Sequence, residues 1–303
     1  MRQQFSTPPE VRLARESVAF FSSLGSDLFE PVGYLFLATT EAGLAELEER
    51  RKVQAALGVP VERIDPSWVR GLKTSDVLGA TFCAEDGIAD PVGITRELVR
   101  RAAGLGVAVR ERTDALSIPG DTLVIAAGAR SPTVAEQLGV ELPIRPLCRQ
   151  LVETTPIPDL PRELPLTIEA EGGFHFRRRG DALVLAMPEE HARWGFAEEV
   201  DDDLVADWLR RMAVRYPPAA AAGVASAWAG LYDMTPDAHP IIGAVAVGVY
   251  AACGFSGHGF MQSPAVGRIV ADELLEGGSQ LDLSPYRLER FKGRAVFPET
   301  AIL

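Results

Sequence analysis

Apolar and polar positions follow two different periods along this chain, and the switch between them sorts it into two kinds of segment. GYLFLATT (33–40) is an apolar run of strand length, while TEAGLAELEERRKVQAALG (40–58) repeats Leu44, Leu47 and Val53 at helical spacing. In ADPVGITRELVRRAAGLGV (89–107), Asp90 caps a helix that Pro91 opens, with Ile94, Leu98, Val99 and Ala102 as its buried stripe, and the helix feeds a strand. Its G-L-G at 104–106 closes a helix instead of opening one. DTLVIAAG (121–128) is a short run of the kind buried on both faces of a parallel sheet. From Leu147 to Met187 the pattern turns to longer strands with Pro- and Gly-rich turns. GGFHFRRRGDALVLAMP (172–188) predicts an antiparallel hairpin, and a helix follows around 201–215.

The most informative stretch lies near the end. The strand GVYAAC (248–253) runs into GFSGHGF (254–260), where glycines 254, 257 and 259 permit a sharp bend or close approach to a flat ligand. Ser263 predicts an N-cap, Pro264 the first helical residue and Gly277 the stop. The first turn of such a helix aims unpaired N–H groups at the glycine turn, which suits an electron-rich group there. A tight structural connection is the alternative.

Composition narrows the classes. A net charge of −12 argues against nucleic-acid partners and anionic membranes, which need clustered Lys and Arg. The one basic run, Arg177-Arg178-Arg179, reads as solvated hairpin residues. No apolar run reaches the roughly 18 residues of a membrane span, and the first residues lack a secretory apolar core. Three cysteines without a C-x-x-C, and four histidines without H-x-x-x-H spacing, predict neither disulfide framework nor metal site, so a cytoplasmic protein is expected.

GFSGHGF together with WAGLYDMTPDAHPIIG (228–243) resembles the C-terminal signature of flavin-dependent amino-acid and amine oxidoreductases, the sarcosine oxidase/D-amino-acid oxidase family. Within it the likeness is greatest to sarcosine oxidase β-subunits and dye-linked proline dehydrogenase β-subunits, and extends through AEDGIADPVGITRELVRRAAGLGV (84–107) and DTLVIAAGARSP (121–132). The resemblance implies a mixed α/β fold: an FAD-binding α/β domain from 1–32, 76–144 and 229–303, interleaved with an antiparallel-sheet substrate domain from 33–75 and 145–228. Two departures stand out. No G-x-G-x-x-G occurs, so the first βαβ unit of the nucleotide-binding domain is missing, and ERTDALSIPG (111–120) replaces a longer β-excursion. Either a longer flavoenzyme or a degenerate member that has lost FAD would read this way.

The resemblance also implies roles. FAD, held non-covalently because Gly230 stands where some relatives attach flavin through cysteine, would contact Gly254, Phe255, Ser256, Gly257, His258, Gly259, Phe260 and Met261, with Ala127 and Gly128 approaching through backbone. The reaction would oxidise the C–N bond of a small amino acid or secondary amine. Arg2 and Tyr232 are the candidates to hold substrate, His175 to cover the active site, and His258 to tune the flavin. Met261 replaces a substrate-binding lysine, and Tyr232 a carboxylate-binding arginine. His239 reads as structural, and Arg2, two residues from the start, as loosely held. The branch also implies hetero-oligomers with other oxidase or dehydrogenase subunits, or else an inactive partner subunit.

Overall fold

The computed structural model describes residues 1–292 and 298–299. The chain opens with α1 (Pro8–Ser22), the short β1 (Phe29–Glu30) and β2 (Tyr34–Ala38), then α2 (Glu41–Ala56), β3 (Val61–Ile64), β4 (Gly79–Cys83), β5 (Ile88–Ala89) and α3 (Pro91–Gly104). The middle contributes β6 (Leu123–Ile125), α4 (Ser131–Glu136), β7 (Arg145–Thr154), β8 (Leu166–Glu169), β9 (His175–Arg179), β10 (Ala182–Ala186) and α5 (Asp202–Arg215). β11 (Val224–Met234), β12 (Ile241–Ala246), β13 (Val249–Cys253) and α6 (Gly259–Glu276) complete it.

Eight strands form one sheet in the order β11-β7-β10-β9-β8-β2-β4-β3, antiparallel except where β2 lies parallel to β8. The alternation along each strand decides what each face meets. Leu35, Leu37, Val152, Phe174, Phe176, Leu183 and Leu185 point to the face covered by Trp208 and Met212 of α5. Tyr34, Phe36, Leu166 and Ile168 point to the other, against Leu47 of α2. A second sheet, β12-β13-β6, packs Ile242, Tyr250 and Ala252 against Leu13 of α1 and Ala265, Val266 and Ile269 of α6.

Several expectations are corrected. α6 begins at Gly259, and Pro264 lies inside it. A proline there removes one donor, and the carbonyl of Phe260 that loses it accepts instead from the Ser263 hydroxyl at 2.9 Å. On α3 only Ile94 is buried, while Val99 is 43% exposed. The strand expected after it does not form, because residues 107–109 find no described strand to pair with. Among the described residues β6 is an edge strand paired with β13 alone, and Val124 is 37% exposed, so the strand is not covered on both faces.

The first residues are not loose. Asp86, fully buried, accepts from the Gln3 backbone N–H at 2.8 Å and the Gln4 amide at 3.0 Å, and Arg2 is 1% exposed. α1 is tied to the C-terminal elements by Glu10, whose carboxylate takes a 2.8 Å contact from His239 Nδ1 and a hydrogen bond from Gln262 of α6. Burial pulls the His239 pKa down, but the bond and charge of Glu10 outweigh it and hold it above the ordinary 6.5. A histidine with a raised folded pKa lends stability that is complete below the unfolded value and lost as pH rises through the folded one. Urea-unfolding midpoints are therefore expected to fall as pH is raised above 6.5, and His239→Gln should flatten that slope; an unchanged slope would remove the pair from the account.

Candidate active site

The GFSGHGF turn is shaped by three left-handed positions. Gly254 (φ 74°), Ser256 (φ 53°) and Gly257 (φ 91°) all take left-handed backbone conformations. For Ser256 this is unfavourable alone and is offset by its hydrogen bonds: its N–H donates to the Asp233 carbonyl at 3.2 Å, and its hydroxyl accepts from Thr235 N at 3.1 Å. Gly254 N donates to the Asp233 carboxylate at 2.7 Å. The LYDMTPD block and the glycine turn, distant in sequence, are thereby stitched together. At Gly257 any Cβ would overlap the ring of Tyr232.

The stitching leaves donors over. The backbone N–H groups of Gly257, Gly259 and Phe260 have no acceptor among the described residues. His258 is buried, and its Nε2 lies 3.4 Å from Arg2 Nη2. Since a guanidinium only donates, Nε2 accepts and Nδ1 carries the hydrogen. That Nδ1–H is buried without an acceptor among the described residues. Burial first, then the Arg2 charge, hold the His258 pKa well below 6.5, so the ring is neutral. Neighbouring donors without a counterpart suit the acceptor-rich pyrimidine edge of a flavin ring.

A cavity of about 150 Å³ opens beside this turn, lined by Arg2, Tyr34, His175, Arg177, Tyr232, Gly257, His258 and Met261 and by aliphatic residues of β7, β8 and β10. His175 Nδ1 donates to the Gly173 carbonyl at 2.8 Å, which leaves Nε2 as an acceptor. Burial lowers its pKa to about 4, keeping it neutral. Burial also raises Tyr34 to about 12 and moves Tyr232 up, so both phenols stay protonated donors. An adjoining hollow of about 180 Å³ shares His175 and Tyr232 and adds Gly230, Arg149 and Trp228.

Of the residues singled out from sequence, Arg2, His175, Tyr232, Gly257, His258 and Met261 line one cavity, and Gly230 borders its neighbour, where a Cβ would meet nothing within 4 Å. Gly254, Phe255, Ser256, Gly259 and Phe260 shape the turn without lining the cavity; Phe260 stacks on Phe21 at 5.5 Å. Ala127 is exposed and Gly128 half-buried at the carboxyl end of β6, and the turn containing Gly128 packs on β11. Sequence reading missed Tyr34 and Arg177. Arg177 is no solvated hairpin residue: it is half-buried and borders the cavity. Its place two positions after His175, on the same strand face, was the available signal.

The family profile described as FAD dependent oxidoreductase (DAO) matches residues 1–273. The chain is 30% identical to "FAD-dependent oxidoreductase domain-containing protein 1" of Bos taurus, covering 96% of this chain and 74% of that protein. It is 25% identical to glycine oxidase of Geobacillus kaustophilus (strain HTA426), over 97% and 85% of the two chains. Among solved structures, L-proline dehydrogenase from P. horikoshii superposes with a TM-score of 0.89 at 26% identity, covering 96% of this chain and 86% of that one.

Gly257→Ala combines a left-handed backbone with a clash against Tyr232, and a loss of about 1–3 kcal/mol in urea unfolding is expected. Gly230→Ala, with open space around the new methyl, should stay within about 0.5 kcal/mol of the parent. Equal effects at the two positions would contradict the role given to the turn.

Proposed function

This chain belongs to the DAO family of FAD-dependent oxidoreductases, and from that premise we propose that it oxidises the C–N bond of a small amino acid or secondary amine to an imine. The observation that carries this reading is that Gly257 and His258, each with an uncommitted donor, line one small cavity together with residues of the eight-stranded sheet. FAD, when bound, takes up the hydride equivalent released as the substrate's C–N bond becomes C=N.

The protein groups have separable tasks. The amides of Gly257, Gly259 and Phe260 and the Nδ1–H of His258, which have no acceptor among the described residues, would hold the cofactor ring, and the positive N-terminal end of α6 favours negative charge there. Neutral His175 offers Nε2 to a substrate N–H, and Tyr232 offers a protonated hydroxyl. A cavity of about 150 Å³ is the size that takes a six-membered carbon ring, which suits glycine-, sarcosine- or proline-sized substrates. The eight-stranded sheet would form the substrate side and the three-stranded sheet with α1 and α6 the cofactor side.

A second reading, a partner subunit without redox activity, is favoured by one feature. β6 has no second neighbour among the described residues, and Leu105, Val107 and Val109 are 86%, 56% and 52% exposed. The same exposed row supports assembly with other subunits. Visible absorbance separates the readings: protein incubated with FAD should retain flavin bands after desalting, and anaerobic sarcosine, proline or glycine should bleach them. Colourless protein that rejects FAD would establish the second reading.

A further inference from the structure

We propose that Arg177 is the receptor for a substrate carboxylate, so that the cavity selects amino acids over simple amines. This rests on the oxidase reading for what happens next to the ligand, but the anion site itself stands on four independent observations.

The first is register. Arg177 pairs with Val184 across the β9–β10 hairpin and shares a strand face with His175, while Phe174 and Phe176 turn to the opposite face under α5. The side chain therefore stands on the cavity side of the sheet. Second, the cavity lining contains two guanidinium groups and no Asp or Glu, in a chain whose net charge is −12. Third, the two arginines are differently engaged. Arg2 packs on the Phe5 ring at 4.7 Å and reaches His258, which ties it to the turn. Arg177 has no hydrogen bond or ion pair among the described residues: the nearby Glu153 carboxylate is taken by Arg179 at 3.3 Å and Ser226 at 3.2 Å. Fourth, Arg177 borders both the cavity, whose lining has no acid, and a neighbouring groove of about 920 Å³ that carries Asp27, Glu30, Asp90 and Glu153, so the cavity is the side on which an anion meets it without repulsion.

A half-buried guanidinium without a counter-charge is unfavourable until an anion arrives, and its planar fork matches a carboxylate in bidentate fashion. From there His175 Nε2, two residues along the same strand, can accept from the amine of the same small molecule.

The probes are cyclopentanecarboxylate and cyclopentanecarboxamide, which fit the cavity, differ in charge and carry no amine to oxidise. Binding to the FAD-incubated protein is followed by calorimetry. The parent should bind the carboxylate at least tenfold more tightly than the amide. Arg177→Met should weaken the carboxylate by about 10- to 100-fold while moving the amide little, and Arg177→Lys should fall between. Because Arg177 makes no described internal bond and its burial opposes its charge, the thermal midpoint of Arg177→Met should be no lower than that of the parent. Carboxylate affinity unchanged in Arg177→Met, or equal binding of both probes by the parent, overturns the proposal even where proline still bleaches the flavin. If the carboxylate preference disappears with Arg177→Met but no amino acid bleaches the flavin, the anion receptor stands and the oxidase reading falls.

Discussion

The glycine turn at 254–257 can lie where it does only because no side chain separates its backbone from the ring of Tyr232. That close approach fixes the distance between β11, the last strand of the large sheet, and the start of α6, the main helix of the small one. Hydrogen bonds from Gly254, Ser256 and Thr235 hold the approach in place, and the Asp233 carboxylate that receives one of them is itself almost wholly buried. Donors are thus divided between two tasks: some close the stitch, and those of Gly257, Gly259 and Phe260 stay uncommitted among the described residues.

The electrostatics of the cavity follow one rule. Arg2, Arg177, His175 and His258 all shift downward and Tyr34 and Tyr232 upward, each chiefly through burial. Every one of these shifts opposes charge on the residue concerned. The two histidines and two tyrosines answer by staying neutral, which turns them into directional hydrogen-bonding groups. An arginine cannot answer in that way, because its guanidinium holds its proton across the physiological range. The lining is consequently a neutral hydrogen-bonding surface with fixed positive charge set into it.

The parts of this arrangement that depend on local backbone rules were legible in the sequence. Glycines after an apolar strand, the R-G-D-A hairpin and the Asp90 cap all declare themselves within a few residues, and the structure places them as read. The start of α6 was misread because Pro264 normally marks a first turn, and the rescue of the Phe260 carbonyl by Ser263 is a side-chain detail that spacing does not encode. The α3 stripe was misread because periodicity reports which residues share a face without reporting whether anything covers it. Arg177 was hidden for a related reason: three adjacent arginines look alike in sequence, yet Arg177 borders a cavity while Arg179, on the same strand face but at the hairpin end, makes an exposed ion pair with Glu153. The anchoring of the first residues depends on Asp86, which accepts from Gln3 and Gln4, and those contacts link segments whose proximity only the fold creates.

The parallel pairing of β2 with β8 joins Tyr34 to Leu166, about 130 residues later. Until β8 exists, β2 can bond only to β4 on one side, and its other edge waits. At translation rates of roughly 5–20 residues per second, that wait lasts on the order of 10 s in a nascent chain. A strand as apolar as Tyr34–Ala38, with one edge bare for that long, makes the first half of the protein a natural client for chaperones, and biogenesis in the cell a more delicate matter than the finished sheet suggests.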